Sequence, residues 1–251
     1  MSAFFVAAST QYLNNAAPPI TTYPFSVGLW IKLTAASNVN RTLWCLADTG
    51  TTNNYFDARM NNAEALVIVA RAGGTEGQGS AGNTLVPAQW AYGVFRFINA
   101  TNRRVAVLQH SSLAHGQGVD DRSPSGIDTE RIGALATSGG ASQPWDGMIA
   151  EYWLTNTDIQ PDGAQLNNDL LRQLAYGGPF SVPHIANDLI EYRSFRKVIE
   201  SDQDEAPGDE VYWGGAGRQV WTNTNGVTRG PHPPLPGWYR KPADRRIMVP
   251  F

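Results

Sequence analysis

The chain has 251 residues, of which 42% are hydrophobic and only 16% charged, and its formal net charge is −3. That supplies the core of one large β domain or of two small ones, and all-β domains often run to this length as one unit; with no long basic run the chain excludes nucleic acid as a partner. No apolar stretch approaches the roughly 20 residues of a spanning helix, which excludes a membrane role.

The opening MSAFFVAASTQYL lacks a basic leader and is polar again by Ser9, so it reads as a first strand and not as a signal peptide. The sequons at Asn40 and Asn99 then carry no glycan, as expected of a chain kept in a reducing cytosol or assembled from one. In PFSVGLWIKL, Phe25, Val27, Leu29, Ile31 and Leu33 alternate with Ser26, Gly28, Trp30 and Lys32. Such alternation predicts a half-buried strand of an antiparallel sheet. Further strands are predicted over 41–48, 64–71, 90–98, 103–110 and 147–155. The glycine-rich run 72–83 reads as a mobile or partner-contacting loop, and 98–104 as the turn of a hairpin.

Cys45 is the single cysteine and sits among apolar neighbours in RTLWCLAD, so it reads as a buried small hydrophobe. It excludes intrachain disulfides and a cysteine zinc site. One helix is predicted from Asp162 to Tyr176, where Leu166, Leu170 and Leu174 recur before Gly177 and Gly178. Residues 200–210, ESDQDEAPGDE, form an acidic stretch read as loop, and 230–251 contain six prolines followed by basic residues. Such a tail makes neither helix nor central strand. The expected organisation is a sandwich over 1–197, an irregular acidic and aromatic extension over 198–230, and an extended arm over 231–251. The predicted fold class is all-β: an antiparallel two-sheet β-sandwich of the jelly-roll kind with one short late helix.

Three segments resemble a LamG-like domain of the concanavalin A-like lectin/glucanase superfamily. They are FVAASTQYLNN (5–15), PFSVGLWIKL with Phe25 and Trp30, and RIGA (131–134) followed by PWDGMIAEYWLTNTDI (144–159), where Gly147, Ile149 and Glu151 match. The resemblance spans about residues 1 to 200 and implies an antiparallel sandwich. Its members bind glycans, bind proteins, cleave glycans or act as structural modules. VPHIANDLIEYRSFRK (182–197) resembles a strand returning to the sandwich, and the proline tail resembles virion proteins of tailed bacteriophages.

Glu151 raises the question of catalysis, because retaining glycosidases use two carboxyl groups about 5–5.5 Å apart. Glucanases of the superfamily carry Glu-x-Asp-x-Glu on one strand face, whereas here Ile149, Glu151, Trp153 and Thr155 alternate without a carboxylate partner. Glu151 therefore reads as a buried or half-buried carboxylate satisfied by an arginine or by backbone amides, and the chain as a non-enzyme. The resemblance allows calcium, for which Asp120, Asp121 and Asp128 are the candidate ligands. The four histidines, His110, His115, His184 and His232, form no zinc set.

Trp30, Trp44, Trp90 and Trp153 read as core, and Trp145 with Asp146 as a loop site for a glycan. In the tail, Trp238, Tyr239, Arg240, Lys241, Arg245, Arg246, Met248 and Phe251 read as partner-binding residues. The leading expectation is a structural, decorating virion protein that contacts the capsid or sister subunits. A lectin-like module for host surface glycans is the alternative, and a glycan hydrolase is more remote.

Overall fold

The alternation beginning at Phe25 becomes a nine-residue strand at the centre of a sheet, in a computed structural model that describes residues 2–160, 163–193 and 221–230. The strands in chain order are β1 (Ser2–Phe5), β2 (Tyr12–Asn15), β3 (Phe25–Leu33), β4 (Arg41–Ala47), β5 (Tyr55–Met60) and β6 (Ala65–Ala72). They continue as β7 (Thr75–Thr84), β8 (Trp90–Asn99), β9 (Asn102–Gln109), β10 (Ser112–Gly118), β11 (Thr129–Ile132) and β12 (Leu135–Thr137). The last are β13 (Gly140–Ser142), β14 (Gly147–Thr155), β15 (Leu189–Arg193), β16 (Thr222–Thr224) and β17 (Thr228–Gly230). Two short helices, α1 (Asn168–Gly177) and α2 (Pro183–Asn187), lie between β14 and β15.

The architecture is the expected antiparallel β-sandwich. An eight-stranded sheet runs β10-β9-β8-β3-β14-β1-β17, with β15 pairing the second half of β14. A seven-stranded sheet runs β16-β2-β11-β4-β5-β6-β7, and β12 and β13 form a separate hairpin. Phe25, Trp44, Phe56 and Phe97 meet edge-on and stacked between the sheets, inside a cluster that extends from Phe5 to Trp221. Aromatic pairs of this kind add about 0.5–1.5 kcal/mol beyond area burial.

The outer face of the eight-stranded sheet is sealed by α1, so β3 is buried on both sides and not half-buried as expected. Trp30 donates to the Ala175 carbonyl of the helix (3.1 Å), and Trp153 Nε1 donates to the Tyr92 hydroxyl (2.7 Å). Leu171, Leu174 and Ala175 supply the buried face. The helix starts at Asn168, later than the leucine spacing suggests, because Asn167 caps it by accepting the Asp169 amide (2.7 Å). Ahead of that cap the chain is pinned by Arg96, itself almost fully buried. Its guanidinium donates to both Asp158 oxygens (2.6 and 2.8 Å) and to the carbonyls of Gln160 and Ala164.

Three further expectations need correction. The glycine-rich run is not a loop but β7, with Gly77, Gly79 and Ala81 turned inward and Glu76, Gln78 and Ser80 outward. The reason is contact between the edges of the two sheets. A Cβ at Gly79 would lie 2.3 Å from the Gln117 carbonyl carbon, and one at Gly116 would lie 2.0 Å from the Ser80 oxygen. Only glycine lets β7 and β10 approach so closely.

Residues 221–230 are not an irregular extension. β16 pairs with β2 in one sheet and β17 with β1 in the other, around a turn at Asn225 and Gly226 whose carbonyls accept from Gln11. Trp221 is buried and donates to the buried Glu191 carboxylate (2.8 Å). The sandwich therefore includes these residues, beyond the boundary expected at 197. The arm at 231–251 lies outside the described residues.

The third correction concerns β14. Between its pairings Ala150↔Trp30 and Trp153↔Gly28, two residues oppose Leu29 alone, which is a β-bulge. Glu151 occupies it with φ 51°, a left-handed conformation sparsely allowed for a side-chain residue. The extra residue shifts the phase, so Ile149, Tyr152 and Leu154 face the inter-sheet core while Ala150 and Trp153 face the helix.

Candidate functional site

The outer face of the seven-stranded sheet carries a polar cluster at its centre. On β5, Phe56, Ala58 and Met60 point into the core, so Tyr55, Asp57 and Arg59 point outward. On β6 and β7 the corresponding positions hold Val67, Val69 and Arg71, then Glu76, Gln78 and Ser80. The hairpin β12–β13 folds over β4, where Leu135 and Ala136 pack on Cys45, Ala47 and the valines. Arg71 and Glu76 remain about one-third exposed, and Gln78 is exposed.

Glu76 gathers the cluster. It accepts from the Tyr55 hydroxyl and from Arg59 (NH2 to Oε2, 2.8 Å), and it faces the Arg71 NH1 at 3.7 Å. The Arg71 guanidinium also lies over the Tyr55 ring, 5.8 Å from its centroid. Arg59 continues inward to Asp57 (3.6 Å) and reaches sideways to the side-chain amide oxygen of Gln78 (3.5 Å). Asp57 is fully buried, and among the described residues its carboxylate has only Arg59 and the Thr42 hydroxyl to favour its charged form. Burial pushes its pKa up to about 7, partly opposed by the Arg59 charge. Partial burial pushes Glu76 upward as well, but Arg59, Tyr55 and Arg71 outweigh it and hold the carboxyl below its ordinary value. Burial and the hydrogen bond to Glu76 raise the Tyr55 pKa, which keeps the hydroxyl protonated as a donor.

The arrangement is a set of planar polar groups over an aromatic ring, on a sheet face that no helix covers among the described residues. A general acid must come within hydrogen-bond reach of its substrate, and Asp57, the group titrating near neutrality, is wholly enclosed beneath Arg59.

The residues singled out from sequence fare differently. Trp145 is fully buried in the inter-sheet core, so it presents no face to a sugar; its apolar ring precedes β14 and is drawn inward. Asp146 is half-buried and accepts weakly from the Ala7 amide (3.4 Å). Asp120, Asp121 and Asp128 do not gather: Asp128 caps Thr49 through its amide and hydroxyl (2.9 and 2.7 Å), while Asp120 uses its carbonyl to accept from Arg103. Among the described residues no group of three or more His, Cys, Asp or Glu is arranged to hold a metal ion.

Glu151 is half-buried and accepts from the Tyr192 hydroxyl. It borders a cavity of about 10 Å³ with Trp30, Tyr92 and Trp153, room for one water at most. Cys45 is buried as expected, and burial raises its pKa to about 12, leaving an inert thiol. Trp238, Tyr239, Arg240, Lys241, Arg245, Arg246, Met248 and Phe251 lie outside the described residues. Sequence reasoning passed over Tyr55, Asp57, Arg59, Arg71, Glu76 and Gln78. The usable signal was the alternation of YFDARM and the glycines two apart in TEGQGSA, which mark strands with one polar face.

A second opening, of about 590 Å³, is lined by Ala36, Ser37, Asn38, Asn62, Ala63 and Glu64. It has no aromatic wall, and the Glu64 carboxylate is already occupied by the Ser37 amide (2.6 Å).

No protein-family model matches the chain, and no curated protein matches it. Solved structures do. A putative carbohydrate binding protein from Bacteroides ovatus aligns over 90% of this chain at 17% identity and TM-score 0.53, and the chain spans 58% of that protein's length. A native heptameric SAP-like pentraxin from Limulus polyphemus aligns over 69% of this chain and 81% of its own, at 13% identity and TM-score 0.50. A CBM40 of the Ruminococcus gnavus IT-sialidase, solved with α2,3-sialyllactose, aligns over 60% and 82% at 14% identity and TM-score 0.46. What these structures share with the chain is the fold, an antiparallel two-sheet β-sandwich of the jelly-roll kind.

Proposed function

We propose that this chain is a non-catalytic carbohydrate-binding domain, and that it holds a glycan on the outer face of the seven-stranded sheet, at Arg71, Glu76 and Gln78, with the buried Tyr55 supporting Arg71 and Glu76 from beneath. The observation that carries this reading is the asymmetry of the sandwich. One outer face is closed by α1 over Trp30 and Trp153, while the other keeps an accessible Arg71–Glu76 pair and an exposed Gln78, all held in place by buried partners. Planar donors and acceptors held in place before the ligand arrives are what sugar hydroxyls require. The name of the Bacteroides ovatus neighbour agrees with this reading.

The alternative of a decorating virion protein depends on residues 231–251, outside those described, and no comparison connects the chain with a virion. Glycan binding is therefore the reading retained. A glycan array probed with the full chain tests it: a defined set of binders is expected, diminished in Gln78→Ala. An array with no signal above background counts against it.

A further inference from the structure

The cluster also bears on which glycans fit. Arg71 on β6 and Glu76 on β7 stand directly opposite one another in register, yet NH1 and Oε1 are 3.7 Å apart, too far for a hydrogen bond. The contacts of Glu76 with Arg59 and Tyr55 are much closer. The outward pair is thus an ion pair left open towards solvent, with a donor on one side and an acceptor on the other. Above about pH 7, where Asp57 is ionised, charge within the cluster is matched. Arg59 lies between Asp57 and Glu76, and Arg71 faces Glu76, so no guanidinium is left uncompensated for an acidic ligand. A ligand carboxylate would instead be brought up to Glu76, and juxtaposed like charges are costly.

Building on the glycan-binding reading, we propose that the ligand is an uncharged saccharide gripped through a vicinal diol. One hydroxyl donates to the Glu76 carboxylate and its neighbour accepts from the Arg71 guanidinium. Two adjacent gauche hydroxyls are spaced by about one hydrogen-bond length and so match an acceptor and a donor standing side by side. The Gln78 amide, two residues along the same strand face, contacts the neighbouring ring. An acidic sugar lacks a free cation here and gains nothing from its charge.

The test uses the full chain at pH 8 in calorimetric titrations. Neutral probes are cellobiose, maltose, mannobiose and lactose; acidic probes are digalacturonate and 3′-sialyllactose. The expected result is binding of at least one neutral probe and of neither acidic one, with affinity unchanged between low and high salt. Methylating both hydroxyls of the diol in the bound probe should abolish binding, and Arg71→Gln should weaken it by about tenfold or more, the usual worth of a hydrogen bond to a charged group. Gln78→Ala, which removes no member of the buried cluster, should weaken it less and serves as the variant least able to disturb folding. Salt-sensitive binding of an acidic probe in preference to every neutral one would overturn the diol proposal and leave the glycan reading standing. Binding of no probe of either class, together with an empty glycan array, would overturn both.

Discussion

A Cβ built on Gly28 would lie 2.2 Å from the Trp153 ring, so the glycine on β3 is the floor on which the β14 tryptophan lies. The relationship explains how the eight-stranded sheet closes its outer face: Trp153 lies flat over β3, its Nε1 reaches Tyr92, and α1 packs on top. Gly28→Ala should displace the indole and cost about 2–4 kcal/mol, in the range of overpacked cores and large single-site effects. Urea denaturation followed by tryptophan fluorescence measures it, and a change below 0.5 kcal/mol would contradict the placement.

A second glycine test concerns the meeting of the two sheet edges. At Gly116 the nearest neighbour of an added Cβ is backbone, the Ser80 oxygen at 2.0 Å, and no side chain can swing aside to relieve it. Gly116→Ala should therefore be more damaging than Gly118→Ala, whose nearest atom stands at 3.0 Å. Thermal melts of the two variants rank them, and the reverse order would argue against close contact between β7 and β10.

Asp57 gives a pH dependence with a definite sign. Its pKa is about 7 in the fold against an ordinary 3.8, so between those values the folded state holds a proton that the unfolded chain has released. Stability contributed by Asp57 is thus full below about pH 4, falls as pH rises through 7, and is flat above. Over the whole window the change is roughly 4 kcal/mol for a shift of this size. Glu76, shifted the opposite way, gains stability as pH rises, so the comparison has to be differential. Wild type minus Asp57→Asn should lose a few kcal/mol between pH 4.5 and 7.5 in urea titrations. Parallel profiles would mean that Asp57 is ionised throughout.

Trp221 tests where the domain ends. It is buried, it meets Tyr152 edge-on, and it donates to Glu191. Trp221→Ala should cost about 3–5 kcal/mol through cavity formation and loss of the hydrogen bond to a buried carboxylate. A chain ending at residue 220 lacks β16 and β17 from both sheets and should fail to give a cooperative unfolding transition. A cooperative transition in that truncated chain would restore the boundary expected at residue 197.

These sites also show what the sequence conveyed. The β3 alternation, the 98–104 hairpin and the burial of Cys45 follow from local pattern alone, because period two and turn chemistry are local properties. The helix start was misplaced because leucine spacing continues through Leu166, whereas Asn167 and the distant Arg96 clamp decide where the helix begins. β7 looked like a loop because its glycines answer to β10, far away in sequence. Trp145 looked like a surface aromatic because Asp and Gly follow it, and only the packing of the two sheets buries it. The polar cluster was illegible for a similar reason. Tyr55, Arg71 and Glu76 come from three strands, and only strand register brings them together.

The most direct test of the binding face is a set of amide and side-chain NMR shifts recorded during titration with a saccharide selected on the glycan array. Shifts concentrated on Tyr55, Arg71, Glu76, Gln78 and the facing hairpin β12–β13 are the expected result. Shifts that centre instead on Ser37, Asn38, Asn62 and Glu64, or on the α1 side of the molecule, would contradict the assignment of the site to the outer face of the seven-stranded sheet.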